Sequence, residues 1–164
     1  MVENVYPIQV ILISTRGTTE LLGKEVTKDN MMTAAWHCPL SFEPPLYGIS
    51  IAKTRFTYKL IKDSKVFCVN FLPYELKEKA VYCGTASGAS TDKFEKTGLT
   101  KEECESIDCC KVGDAAAQLE CEVVDEFEVG DHVFFVGKVL RNIDKNDKKR
   151  LLYNEDDKFT STLS

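Results

Sequence analysis

The stretch AAQLECEVVDEFEVGDHVFFVGKVL, Ala116 to Leu140, decides the fold class. Two long runs, Ala116 to Phe127 and His132 to Leu140, read as strands. Between them lies Gly130-Asp131, a pair suited to the tight turn of a β-hairpin. A hairpin this long makes the sheet antiparallel and leaves no room for a helix between its strands.

Working outward, Ile8 to Ser14 is an apolar run rich in isoleucine, bounded by Pro7 and Gly17, and reads as a buried strand. Thr18 to Lys28 is polar with Gly23 and reads as a hairpin connection. Met31 to Trp36 is a second strand. Pro39, Pro44 and Pro45 then argue against regular pairing, so a loop is expected. Leu46 to Lys53 alternates, with Tyr47, Ile49 and Ile51 on one face, and is a third strand. Thr57 to Asp63 predicts a short helix capped by Thr57. Val66 to Leu72 is a strand broken by Pro73, and Tyr74 to Cys83 an amphipathic helix ended by Gly84. Thr85 to Asp92 is a Gly/Ser/Thr-rich loop. The tail from Leu151 adds a last strand or covers a sheet edge. Six or seven strands and two or three short helices disfavour a doubly wound parallel sheet. They favour a closed antiparallel barrel with helical inserts.

Composition narrows the function classes. The 164 residues suit one domain spanning 1–164. No apolar run approaches the ~20 residues of a membrane-spanning helix, and Met1 to Val5 lacks the pattern of a secretion signal. A cytoplasmic protein is expected, with no membrane partner. The net charge of −5 argues against a nucleic-acid partner. The basic cluster Lys145 to Arg150 reads as a solvated turn. Seven cysteines, an odd number with no secretion signal, read as reduced thiols. Cys68 belongs to the core. Cys104, Cys109 and Cys110 cluster without a zinc-like spacing.

The familiar catalytic patterns are absent: there is no G-x-S-x-G, H-E-x-x-H, P-loop or G-x-G-x-x-G. With only two histidines, His37 and His132, a histidine metal cage is excluded. His37 and Cys38 are adjacent on an extended chain and point to opposite faces, so they do not form a nucleophile pair. What stands out instead are small and polar residues at strand ends. Asn30 to Trp36 mixes small side chains with a large aromatic, which lets a flat ligand approach the backbone. Arg55-Phe56-Thr57 places a cation and a hydroxyl before a helix start, the ingredients of an anion site. Ser87-Gly88 and Asp92-Lys93-Phe94 add a loop and a second cation. Each has a bland reading as well: Trp36 in a core, Arg55 in a surface ion pair, Ser87-Gly88 in a turn, His132 at a hairpin.

Order and spacing join these pieces. N-x-x-T-A-A-W (Asn30 to Trp36) precedes P-P-L-Y-G-I-S-I (Pro44 to Ile51), R-x-T (Arg55 to Thr57) and V-N-F (Val69 to Phe71). Then come G-x-A-S-G-x-x-x-D-K-F (Gly84 to Phe94), L-E-C (Leu119 to Cys121) and G-D-H-x-x-F-V-G (Gly130 to Gly137). From Pro7 to about Val139 this composite resembles the flavin-reductase-like, FMN-binding family, including its flavoredoxin group. The resemblance implies a mainly β, Greek-key split barrel with short helical inserts, and a homodimer with FMN near the interface. It implies that Asn30, Met31, Met32, Thr33, Ala34 and Trp36 line the isoalloxazine and its linker, with Ala52 also at the cofactor. Arg55 and Thr57 would hold the phosphate, with Ser87 and Gly88 nearby. Lys93 would approach the flavin or its phosphate, His132 would sit by the ring, and Phe159 would cover it from the tail. His132 and Lys93 are the catalytic candidates. The resemblance implies either an NAD(P)H-dependent flavin or ferric reductase, or a flavoredoxin-like electron carrier fed by a redox partner protein and lacking a nicotinamide site. From the cysteines alone, a non-enzymatic ligand- or metal-binding barrel stays open.

Overall fold

A computed structural model describes residues 5–145, 148–154 and 158–162. They form the strands β1 (Ile8–Gln9), β2 (Ile11–Leu21), β3 (Lys24–Ala34), β4 (His37–Ser41), β5 (Leu46–Ala52), β6 (Val66–Phe71), β7 (Lys101–Glu103), β8 (Cys110–Val112), β9 (Ala117–Val129), β10 (His132–Asp144), β11 (Leu151–Tyr153) and β12 (Phe159–Ser161). The helices are α1 (Phe56–Ser64), α2 (Lys77–Thr85), entered through a 3-10 turn at Tyr74–Leu76, and α3 (Lys93–Thr97).

The long hairpin is the spine. β9 and β10 pair from His132↔Val129 to Asp144↔Ala117, and Gly130 takes the left-handed φ of +59° that the turn requires. Around it runs a seven-stranded sheet in the order β3-β2-β6-β9-β10-β5-β4, antiparallel at every pairing. Within this sheet β6, β9 and β10 follow one another, and β5, which precedes them in the chain, lies beside β10, a Greek-key arrangement. The fold is mainly β with short helical inserts.

Both faces of β2 are buried, which is why its apolar run is continuous. Ile11 and Ile13 face a core with Ile49, Ile61, Phe67 and Phe135. Val10 and Leu12 face a second core with Met31, Leu72, Phe94 and Leu151. At Val10 the chain leaves the small sheet β1-β11-β12 for the large one, and the Val10 N–H bonds the Leu151 carbonyl at 2.9 Å.

Four expectations are corrected. Thr18 to Lys28 is no long connection: the strands continue to Leu21 and from Lys24, and Leu22-Gly23 alone turn, at φ of 52° and 74°. The polar character came from strand ends reaching beyond the core, where Thr18 and Thr27 pair hydroxyls at 2.8 Å. Pro39 lies inside β4, tolerated because β4 is an edge strand with an irregular register there. Thr57 is not the cap of α1. Arg55 occupies that position without a side-chain bond, and Thr57 sits buried in the first turn. Gly84 does not end α2, because the helix runs on to Thr85, whose hydroxyl bonds back to the carbonyls of Val81 and Tyr82. The short strands β7 and β8 went unseen in the sequence.

Met1 to Asn4, and residues 146 and 147 of the basic cluster expected to form a solvated turn, lie outside the described residues. No helix among the described residues is long and apolar enough to cross a membrane.

Candidate functional site

Two cavities meet along the wall formed by Met32, Thr54 and Arg55. The inner one, about 170 Å³, lies between the start of α1, the end of α2 and the loop to α3. The outer one, about 430 Å³, opens where β3 ends and the β9–β10 turn comes near.

The inner cavity is built from buried polar groups that fix one another. Asn30, at 3% exposure, donates through Nδ2 to the Thr57 hydroxyl at 2.8 Å. That leaves the Thr57 proton for another acceptor. Gly88 packs onto the same amide so closely that a Cβ there would stand 2.0 Å from Asn30 Oδ1. Lys28 Nζ holds the Gly88 carbonyl at 2.9 Å. Because no side chain caps α1, its first amides are open to an anion, beside the Arg55 guanidinium.

Lys93 closes this cavity. It is 5% exposed, and its ammonium donates to the Cys83 carbonyl at 2.7 Å. Burial pushes its pKa below the usual lysine range; the nearby Cys83 thiol opposes that shift and the Arg55 charge adds to it. α3 delivers it there: Asp92 caps this helix by accepting from the Glu95 N–H at 3.0 Å, which fixes where Lys93 begins. Two cations around one polar cavity make a site for a dianion.

The outer cavity is wider and less tightly held. Thr33, Ala34 and Ala35 give a low wall, and Ser50 and Ala52 a second. Trp36, 52% exposed, lies over His132 with ring centroids 4.8 Å apart. His132 Nδ1 is held by the Asp131 carboxylate at 2.6 Å, and that contact lowers the Asp131 pKa. A flat ring fits between such walls, its edges meeting strand-end backbone.

The structure therefore brings together Asn30, Met32, Thr33, Ala34, Trp36, Ala52, Arg55, Thr57, Ser87, Gly88, Lys93 and His132. It does not bring Met31 or Phe159. Met31 points into the core on the other side of β3, and Phe159 packs on Tyr153 at 5.4 Å in the small sheet. The sequence missed Thr54, the shared wall, and Cys83 to Ala86 at the end of α2. The G-x-A-S-G spacing was the available signal for the latter. It also missed Lys28, whose role depends on a partner 60 residues away. His37 is engaged elsewhere, with Tyr47 at 2.7 Å and the Gln9 carbonyl at 2.9 Å, while Cys38 is exposed. No group of three or more His, Cys, Asp and Glu among the described residues has metal-holding geometry.

Residues 3–162 match the family model of the flavin reductase like domain. The chain belongs to the flavin-reductase-like family. A relative from Archaeoglobus fulgidus, described only as uncharacterized, is 40% identical over 85% of this chain and 74% of its own length. In two further archaeal relatives the match spans 41% and 63% of their length. Among solved structures, flavoredoxin from Methanosarcina acetivorans superposes with a TM-score of 0.83 at 25% identity, covering 100% of this chain and 90% of that one. Flavoredoxin of Desulfovibrio vulgaris (Miyazaki F) superposes at 0.85 with 22% identity, over 100% and 91%, which carries the split-barrel fold.

Proposed function

We propose that residues 1–164 form one FMN-binding domain that acts as a flavin-dependent oxidoreductase. The observation that carries this is the junction of the two cavities: a small, doubly cationic pocket opens through Arg55 into a larger slot bounded by strand ends, Trp36 and His132. Phosphate on one side and a flat ring on the other match FMN in shape and charge order. The close Gly88–Asn30 packing leaves the phosphate end free of side-chain bulk.

FMN, when bound, supplies the electron transfer. The chain's residues do the rest. Arg55, Lys93 and the Thr57 hydroxyl hold the phosphate together with the α1 amides. Asn30 fixes Thr57 and so the depth at which the ligand seats. His132, oriented by Asp131, and Trp36 border the ring slot. A cation kept close to the ring favours electron uptake there, which makes Lys93 and His132 the candidates for setting the potential.

Reduction by NADH or NADPH, with free flavin or a ferric complex as acceptor, is the leading activity. The family's name supports it. A flavoredoxin-like electron carrier, reduced by a partner protein, is the second reading, supported by the likeness to the Methanosarcina protein. A homodimer fits the apolar residues left exposed on β4, β9 and β10 and in the β4–β5 turn, Leu40, Phe42, Phe127, Val129 and Leu140. Seven free thiols accord with a reducing cytoplasm.

The test is a visible spectrum of the protein loaded with FMN and freed of excess, then titrated anaerobically with NADH and NADPH. Retained colour with bleaching supports the reductase. Retained colour without bleaching supports the carrier. A protein that retains neither FMN nor FAD overturns the proposal.

A further inference from the structure

The flavin cleft leaves the cysteine-rich hairpin of β7 and β8 without a role. In that hairpin Glu103 pairs with Cys110. One step further Cys104 stands opposite Cys109, its N–H donating to the Cys109 carbonyl at 2.8 Å. Residues facing each other across an antiparallel pair have Cα atoms about 4.5–5.5 Å apart, inside the roughly 4.4–6.8 Å that a disulfide spans.

The side chains converge as the backbones do. The Cys109 thiol donates to the carbonyls of Ser14 at 3.5 Å and Cys110 at 3.2 Å, and the Cys68 thiol to the Val69 carbonyl and Asn70 Oδ1 at 3.8 Å, while both side chains interact with that of Cys104. Cys68 and Cys109 are buried, whereas Cys104 is half-buried and reachable from solvent. The turn between the two cysteines is pinned from below by Glu120, fully buried. Its carboxylate accepts from the Glu105 N–H at 3.0 Å, the Ser106 N–H at 2.7 Å and Lys111 Nζ at 3.1 Å. The hairpin is held firmly and sets the two cysteines opposite each other across its strands.

We propose that Cys104 is a hydroperoxide-reactive thiolate and that Cys109 resolves it, closing a disulfide across the turn between β7 and β8. In the first step the Cys104 sulfur attacks the terminal oxygen of a hydroperoxide. An S–O bond forms and the O–O bond breaks, leaving a sulfenic acid on Cys104 and an alkoxide or hydroxide that takes a proton from solvent. In the second, the Cys109 sulfur, giving up its proton, attacks the Cys104 sulfur. The S–S bond forms, the S–O bond breaks, and the departing hydroxide leaves with that proton as water. Two thiols lose two electrons and the hydroperoxide gains them.

Electrostatics agree with this order of events. Interaction with the Cys109 side chain first, and then with that of Cys68, brings the Cys104 pKa down to about 5; burial and Glu120 oppose this, and Lys111 adds to it. The same contacts, after burial, hold Cys109 and Cys68 well above the usual thiol range, as burial chiefly does for Cys121 nearby. One member of the cluster is therefore the nucleophile and its neighbours keep their protons until called on.

The test uses the full-length protein without added reductant, hydrogen peroxide as the probe, and iodoacetamide as the label. The exposed Cys38 is the internal reference. At pH 6 Cys104 should alkylate roughly tenfold faster than Cys38, its larger thiolate fraction outweighing the lower nucleophilicity of a low-pKa thiol. After peroxide treatment, labelling of the denatured protein should find Cys104 and Cys109 protected together and Cys110 still open to label. Trypsin frees Glu102–Lys111 as one peptide, and its fragmentation spectrum locates the bond. In Cys109→Ser the reaction should stop at a sulfenic acid on Cys104 that dimedone captures. In Cys104→Ser, Cys109 should lose its peroxide sensitivity. Slower labelling of Cys104 than of Cys38, peroxide-dependent loss of Cys109 in Cys104→Ser, or a bond joining other cysteines would each overturn the proposal.

Discussion

The two cavities share Met32, Thr54 and Arg55, yet they are held in opposite ways. In the inner one the defining polar groups are buried and already bonded to one another: Asn30 to Thr57, Lys28 to Gly88, Lys93 to Cys83. In the outer one the walls are strand ends, and the aromatic boundary is a half-exposed Trp36 leaning on a histidine held by a surface aspartate. The inner end is set before a ligand arrives and suits recognition of one group of fixed charge. The outer end leaves room for a second molecule to approach the ring, as electron transfer requires. Substitutions at the inner end should therefore cost affinity and distinguish ligands by their phosphate. Those at the outer end should cost little affinity and not distinguish them.

The largest effect is expected at Gly88. A Cβ placed 2.0 Å from Asn30 Oδ1 must displace that amide and break its bond to Thr57. Overpacking and a lost buried hydrogen bond together cost about 2–4 kcal/mol. Gly88→Ala should lower the melting temperature by roughly 5–10 °C in a chain of this size and abolish FMN retention. Asn30→Gly in the Gly88→Ala background should return the overpacking part of the lost melting temperature, the bond to Thr57 staying broken, and leave FMN weak. Additive losses in that double-mutant cycle would mean the two residues do not share one packing site.

Arg55→Ala comes next. Arg55 is exposed at the mouth of the inner cavity, so the low end of a charge-assisted bond applies, about 1.5 kcal/mol, or roughly tenfold in Kd. Fluorescence titration should show that loss for FMN and almost none for riboflavin, which lacks the phosphate. Equal losses would remove Arg55 from the phosphate end.

Lys93 gives the contrast a pH signature. Burial lowers its pKa in the free protein, and a bound phosphate would raise it again. The complex therefore holds the lysine proton more tightly than the free protein does, so binding takes up protons and affinity falls as pH rises. FMN affinity should decline severalfold between neutral pH and about 10, and Lys93→Met should be weaker throughout but flat relative to wild type. A variant that keeps the wild-type slope would place the titrating group elsewhere.

How much of this the sequence disclosed follows from the range of each interaction. The β9–β10 hairpin and the buried strand β2 were legible because their signals are local: a Gly-Asp turn, and an apolar run that period two divides between two cores. The polar ends of β2 and β3 were misread because a strand reaching past its core looks like a loop. Pro39 misled because edge position, which excuses a proline, is a property of the whole sheet. At the site, Arg55 and Thr57 stood out as a helix-start pair, but Thr57's function as partner of Asn30 did not, since 27 residues separate them. Met31 and Met32 carry the same kind of side chain. Only the strand's alternation, anchored by knowing which face is covered, sends Met31 to the core and Met32 to the cavity wall.

The smallest effect is expected at Trp36, and it sharpens the comparison most. Its ring is half-exposed and contacts His132 at a distance and tilt worth on the order of 1 kcal/mol. Trp36→Ala should cost no more than about 1 kcal/mol of stability and weaken FMN and riboflavin alike, by about fivefold or less. What should change is access. With the ring gone, the outer slot is wider, and the rate at which an external acceptor such as ferricyanide oxidises the reduced protein should rise while FMN affinity scarcely moves. If Trp36→Ala instead weakened FMN far more than riboflavin, the outer residues would be helping to hold the phosphate, and the division of labour between the two cavities would fail.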